Sequence, residues 1–129
     1  MTGEKKFEFV SEAAKRAYKA LPEEIQKQFG SDLNAVQQGK RPFSAFKDVS
    51  SSVGQGTIEL IENGSPAYRA LYCTKYLDTV YILHAFEKTT NHVDKKEMDT
   101  AKDRYKEMTA QVREVELAKK RRRRAGVRD

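Results

Sequence analysis

Between residues 57 and 88 the chain holds three strand-like segments whose links are too short for anything but antiparallel neighbours. They read TIELIE (57–62), AYRALYCTKY (67–76) and TVYILHAFEK (79–88), rich in β-branched and aromatic residues. Asn63-Gly64 is a tight-turn dipeptide of the hairpin kind, and Leu77-Asp78 joins the second segment to the third. Parallel pairing would need a crossover of roughly a dozen residues or more, so the spacing predicts a three-stranded meander.

What surrounds the meander is mostly helical in pattern. Residues 5–10 (KKFEFV) alternate, with Phe7 and Phe9 on one side, and predict a short strand. Ser11 stands where a helix cap is needed, and Ala14, Ala17, Tyr18 and Leu21 then share one helical face. Pro22, Glu23 and Glu24 suit the start of a second helix, in which Ile25, Phe29, Leu33 and Val36 recur every three or four residues. Gly30 predicts a kink or break near Ser31, and Gly39 a C-terminal stop. Residues 40–56, with one Pro, two Gly and four Ser, read as a loop tied down by Phe43, Phe46, Val49 and Val53. Further on, Asp94 and Glu97 have capping-box spacing. Met98, Ala101, Tyr105, Met108, Val112 and Val115 then form an amphipathic stripe. That stripe either packs on the sheet along its length or carries its far end outward to a partner. The sum is a small α+β domain: an N-terminal strand and helical hairpin packed on an antiparallel sheet, then a C-terminal helix.

The net charge of +6 has one source. Residues 119–129 hold seven of the 25 basic residues (Lys119, Lys120, Arg121, Arg122, Arg123, Arg124, Arg128) and one of the 19 acids, Asp129, which leaves residues 1–118 balanced. The expectation is one folded domain, 1–118, and a basic disordered tail, 119–129. Such a run attracts phosphate in a salt-dependent, sequence-blind way; the alternatives are a solvated end or a nuclear-localisation signal. A single cysteine, Cys73, allows no disulfide within the chain, and with two histidines it leaves little for structural zinc. There is no H-E-x-x-H, paired aspartate cluster or P-loop. No apolar run approaches the roughly 18 residues of a membrane span, and the polar first thirty residues lack a secretory pattern. A soluble, cytoplasmic protein without a membrane partner is expected.

Within 56–104 the motifs fall in a recognisable order. Gly56, Glu59 and Leu60 make a Gly-x-x-Glu-Leu pattern; Tyr68, Arg69 and Tyr72 make Tyr-Arg-x-x-Tyr. Leu83, His84, Phe86, Lys88 and Thr90 follow on the third strand, then Ala101 and Arg104 as Ala-x-x-Arg. In these motifs and their order the chain resembles the RelE/HigB-type toxins of bacterial and phage type II toxin–antitoxin modules, particularly the phage-associated branch. Thr89 stands where many members have a second lysine. The resemblance implies a RelE-like fold and a metal-independent endoribonuclease, without cofactor, that cleaves mRNA, usually in the ribosome, and so inhibits translation. Its partners would be mRNA, the ribosome and a cognate antitoxin with a helix-turn-helix; a homodimer is left open. Two other readings stand beside it. One is a non-enzymatic nucleic-acid-binding module that works through the basic tail. The other is a phage-derived interaction protein that kept the fold and lost the activity.

The implied reaction is attack of a ribose 2′-OH on the adjacent phosphate. It needs a proton acceptor, stabilisation of the phosphorane charge, and a donor to the leaving 5′-oxygen. Arg69, charged among apolar neighbours in mid-strand, is the first candidate catalytic residue; otherwise it pairs with Glu59 or Glu62. Lys88, at the end of the third strand, is the second, against a solvated lysine. His92, in the following loop, is the third, because an unperturbed imidazole, with a pKa of about 6.5, suits proton transfer. Lys75, on the face of Arg69 by parity, and Thr89 and Thr90 are candidate RNA-binding residues, as are Lys119, Lys120, Arg121 and Arg122. His84, alternating with Ile82 and Phe86, reads as a core histidine. Tyr68, Tyr72 and Tyr76 read as a packing stripe, or as a surface for stacked bases, and Cys73 as a buried inert thiol.

Overall fold

The computed structural model describes residues 4–126. Its order is β1 (Lys6–Phe9), α1 (Glu12–Lys19), α2 (Glu23–Gln37), β2 (Ala45–Asp48), β3 (Thr57–Glu62), β4 (Ala67–Cys73), β5 (Thr79–Lys88) and α3 (Lys95–Arg124). One five-stranded sheet runs β1-β5-β4-β3-β2. The α+β architecture agrees with a small RelE-like fold.

The meander forms as its short links require: β3 with β4 and β4 with β5 are antiparallel. Two additions make the sheet wider than expected. β1 lies beside β5 in parallel register, which the intervening helical hairpin permits. β2 pairs antiparallel with β3, so part of the expected 40–56 loop is an edge strand. Neither Asn63 nor Gly64 has a positive φ, so they form no two-residue primed turn, and four residues separate β3 from β4. Leu77 and Asp78, at φ of 54° and 52°, make the tight turn into β5.

The hairpin helices form largely as their signals predict. The Ser11 side chain accepts from Ala14 N at 3.1 Å, satisfying a free N–H at the start of α1. Gly39, at φ +80°, stands just past α2. The expected break near Ser31 is absent: α2 is continuous through Gly30, which lies against the Tyr18 hydroxyl.

Each sheet face has its own core. Tyr18, Phe29 and Leu33 pack from α1 and α2 onto Leu60, Ala70, Tyr72 and Ile82. On the other face Ala101, Met108 and Val112 of α3 meet Leu71, Leu83 and Phe86, with Val49 and Val53 of the β2–β3 loop beside them. Leu60, Leu71, Leu83 and Met108 are wholly buried, and each such side chain contributes about 1.5–3 kcal/mol. Gly54 sits under the Tyr105 ring, where an added Cβ would come within 2.5 Å of three ring carbons. The ring is held by a hydrogen bond from its hydroxyl to the Gln55 carbonyl at 2.7 Å. Gly54→Ala should therefore destabilise the fold by about 1–3 kcal/mol through overpacking, read as a lower urea midpoint with unchanged slope.

From residue 113 onward every described residue of α3 is exposed, although Val115 and Lys119 still border a hollow beside β1 and β5. The run 119–124, expected to be disordered, is helical through Arg124; residues 127–129 lie outside the described residues. The physical reason is that Lys and Arg are good helix formers, and cations in a final turn complement the helix dipole.

Candidate active-site cleft

On the α3 face the strands bring charged side chains into line. Lys47 stands opposite Glu59 across β2 and β3. Ile61 stands opposite Arg69 across β3 and β4, and Arg69 opposite Phe86 across β4 and β5. Lys88 is two residues beyond Phe86, so it falls on the same face. Together with His92 and Asp94 of the β5–α3 loop these residues line a cleft of about 260 Å³. Arg69 and Lys88 also line an adjoining hollow of about 470 Å³ with Asn63, Thr89 and Thr90.

Arg69 is 9% exposed and has no carboxylate partner among the described residues; the alternative pairing with Glu59 or Glu62 side chains does not form. Its guanidinium donates to the carbonyls of Tyr68 (3.0 Å) and Glu62 (3.4 Å) and to Asn63 Oδ1 (3.1 Å). A guanidinium has five N–H groups, so these bonds fix the fork in place and leave donors for a ligand in either hollow.

Lys88 is held more tightly. Its Nζ donates to the His92 carbonyl at 2.6 Å and pairs with Asp94 Oδ2 at 3.2 Å. Asp94 Oδ1 takes the Thr90 hydroxyl at 3.1 Å, and that hydroxyl accepts from the His92 N–H at 3.2 Å. The expected Asp94–Glu97 capping box is thus absent, because Asp94 is taken by Lys88 and Thr90 and Glu97 by His84. Thr90 shapes the loop, and His92 is exposed and among the residues that line the cleft.

Glu59, which the motif pattern alone does not mark as functional, stands beside these cations. It is 5% exposed, lines the cleft, and its one described ion pair is a long one, 3.9 Å to Lys47. Burial raises its carboxyl above the ordinary range, against the opposing pull of Lys47, Arg69 and Lys88. A buried acid beside three cations in a cleft is a candidate proton-transfer group. The available signal was strand parity: Glu59 stands opposite Leu71, two residues from Arg69 on one face.

Two other expectations change. Lys75 is not brought to the cleft: β4 ends at Cys73, and Lys75 lies near Gly56 with its ammonium 5.7 Å from the Tyr76 ring centre. The cations of 119–124 lie at the far end of α3, roughly 35–45 Å along the helix from Lys95. Lys119 instead borders a hollow with Thr79 and Tyr81, at the opposite end of β5 from Lys88.

His84 joins a buried network behind the cleft. The β4–β5 register shifts between Leu71 and Tyr72, pairing Leu71 with His84 but Tyr72 with Ile82, so Leu83 is an extra residue. That bulge turns His84 away from Ile82's face and onto the α3 face, where it stacks on Phe86. Arg104 donates to His84 Nδ1 at 2.8 Å, so Nε2 carries the proton and donates to Glu97 Oε1 at 2.7 Å. Burial first, and the Arg104 charge as well, lower the imidazole pKa against the pull of Glu97. Because the folded form favours neutral His84, the unfolded chain takes up a proton first as pH falls from 7 toward 5. Stability should drop there, by no more than about 1.4 kcal/mol per pH unit for one site. Urea midpoints at pH 7 and 5 should show this part of the slope in the wild type and not in His84→Asn.

Cys73 is fully buried, with its thiol pushed up by burial. No helix among the described residues is long and apolar enough to cross a membrane.

Comparison with known proteins gives one family. The family model described as "Phage derived protein Gp49-like" matches residues 16–106, from α1 to the middle of α3. That span contains every residue of the cleft, while the run 119–124 lies beyond it. No curated protein matches the chain.

Proposed function

Because the chain belongs to the phage-derived Gp49-like family, a family associated with toxin–antitoxin toxins, we propose that it is the toxin of such a module and an endoribonuclease of the RelE/HigB type. The observation that carries this reading is the convergence of Arg69, Lys88, Glu59 and His92 on one open cleft. The roles follow from their chemistry. Glu59 accepts the proton of the attacking ribose 2′-OH, its buried carboxyl being a stronger base than an exposed one. Arg69, immobilised by three hydrogen bonds, stabilises the charge that builds on the phosphorane oxygens. Lys88, positioned by Asp94 and the His92 carbonyl, supports the same phosphate and the leaving 5′-oxygen. His92 stands at the cleft for the exchange of protons with the leaving group, and Thr89 and Thr90 border the neighbouring hollow as phosphate or ribose contacts.

The partners on this reading are mRNA in the ribosome and an antitoxin that silences the cleft. Induced expression of the chain should arrest growth and produce new mRNA 5′ ends, and co-expression of an adjacent small gene for a helix-turn-helix protein should reverse both. Growth that is unaffected by wild-type chain at confirmed expression would contradict the reading.

The run Lys119, Lys120, Arg121, Arg122, Arg123 and Arg124 is assigned to anchoring on RNA backbone away from the cleft. Replacing all six by Gln should flatten the salt dependence of ribosome or RNA binding by about 4–5 in the slope of log K against log salt. Cleavage of bound RNA should persist. The non-enzymatic reading predicts instead that the six replacements remove all of the chain's effect.

A further inference from the structure

The sheet has an edge that the cleft does not use. β2 is the last strand of the sheet and pairs only with β3, so one side of its backbone is open. Next to it stand two exposed aromatic rings, Phe43 at 80% and Phe46 at 41%. Isolated exposed apolar residues are ordinary, but the backbone that carries Phe43 is pinned and Phe46 is part of β2 itself. Asp32 of α2, 1% exposed, accepts the N–H groups of Phe43 (2.7 Å) and Ser44 (2.8 Å) through a single oxygen. Gln28 adds a bond to the Ser44 hydroxyl at 3.0 Å. A buried carboxylate thus fixes the backbone from which Phe43 projects into solvent.

Beside Phe46 runs a groove of about 350 Å³ floored by Val36, Ile58 and Tyr72 and rimmed by Lys5, Lys40 and Arg41, with no carboxylate among its lining residues. Lys40 and Arg41 have no ion pair among the described residues. On the opposite face of β2, Lys47 stands at the rim of the cleft.

We infer that the open edge of β2 takes an extended, acidic segment of another protein as a sixth strand, with apolar side chains seated on Phe43 and Phe46. Backbone pairing to an exposed edge supplies affinity and the alternating side chains supply specificity. The strand is only four residues long, so pairing alone is weak, and the two exposed rings, with the backbone at Phe43 already fixed, must add to it. The cations at the groove select carboxylates and disfavour basic strands. This docking surface stands apart from the chemistry of the cleft, although Lys47 brings a bound strand to the cleft's edge.

The test is selection of a displayed random twelve-residue peptide library on the full chain, followed by binding of the enriched peptides to wild type, Phe43→Ser/Phe46→Ser and Lys40→Glu/Arg41→Glu. Both aromatic positions are solvent-facing, and circular dichroism checks that the variants fold. Expected are peptides with acidic and alternating apolar residues, binding at least tenfold weaker to either variant, and hydrogen-exchange protection at residues 45–48. Enriched peptides that are neutral or basic, that bind both variants as well as wild type, or that protect other segments would overturn the inference. So would failure to enrich any peptide, or a concentration-dependent dimer of the chain alone that protects 45–48, which would assign the edge to a second copy.

Discussion

Arg69→Ala should lower RNA cleavage by about 10²–10³-fold, the usual cost of removing a preorganised charge stabiliser, while leaving the protein folded. The guanidinium is the one buried cation of the cleft without a carboxylate partner among the described residues, so its charge is available to a phosphate. Its loss removes bonds to the Glu62 and Tyr68 carbonyls and to Asn63, all around the β3–β4 connection. That costs about 1–3 kcal/mol of stability, a lowered melting temperature rather than unfolding. Arg69→Lys keeps the charge but not the two-pronged fork, so it should recover only part of the rate. Single-turnover cleavage together with thermal melts separates the two effects. An Arg69→Ala enzyme that folds and cleaves at the wild-type rate would remove Arg69 from the site.

Glu59→Gln should have an effect as large on the rate and the reverse effect on stability. An amide cannot take a proton, so the loss of a general base should cost about 10²–10⁴-fold. The wild-type rate should rise with pH as Glu59 ionises, with a midpoint above the ordinary carboxyl range because burial disfavours the charged form. That acidic limb should vanish in the Gln variant. The sign for stability follows from the same raised pKa. The folded state holds a proton that the unfolded state has released, so Glu59 weakens the fold as pH rises through its folded pKa. At pH 7 Glu59→Gln should therefore be as stable as wild type or more so, measured by urea unfolding, while nearly inactive. A residue kept at a cost to stability marks a functional position.

The strands, the helices and the Arg69–Lys88 pairing were legible because they rest on local signals: alternation in β3 to β5, a 3–4 spacing in the helices, and the order of short motifs. What was not legible depended on contacts distant in sequence or on single-residue irregularities. β2 reads Ala-Phe-Lys-Asp, all exposed, and has no alternation to reveal an edge strand. One extra residue at Leu83 reversed the side-chain parity that placed His84 with Ile82. The spacing of Asp94 and Glu97 fits a cap, but Lys88 and Thr90 just before the helix compete for Asp94, and His84 of β5 for Glu97. Lys75 shares Arg69's parity only while the strand continues, and β4 ends before it. The charge of the basic run suggests disorder, whereas helix propensity and the dipole favour continuation of α3 through Arg124. Glu59 belongs to a short motif and has the spacing of an ion-pair partner; only the packed sheet shows it buried beside the cations.

The most direct measurement uses mRNA on programmed ribosomes with a single 2′-deoxy nucleotide at the mapped cut site. The cleft chemistry predicts cleavage of the all-ribose message to a 2′,3′-cyclic phosphate end, and none when that one hydroxyl is missing. Cleavage of the 2′-deoxy message at the same position, or no cleavage of either message by the wild-type chain, would contradict an Arg69–Glu59–Lys88 ribonuclease.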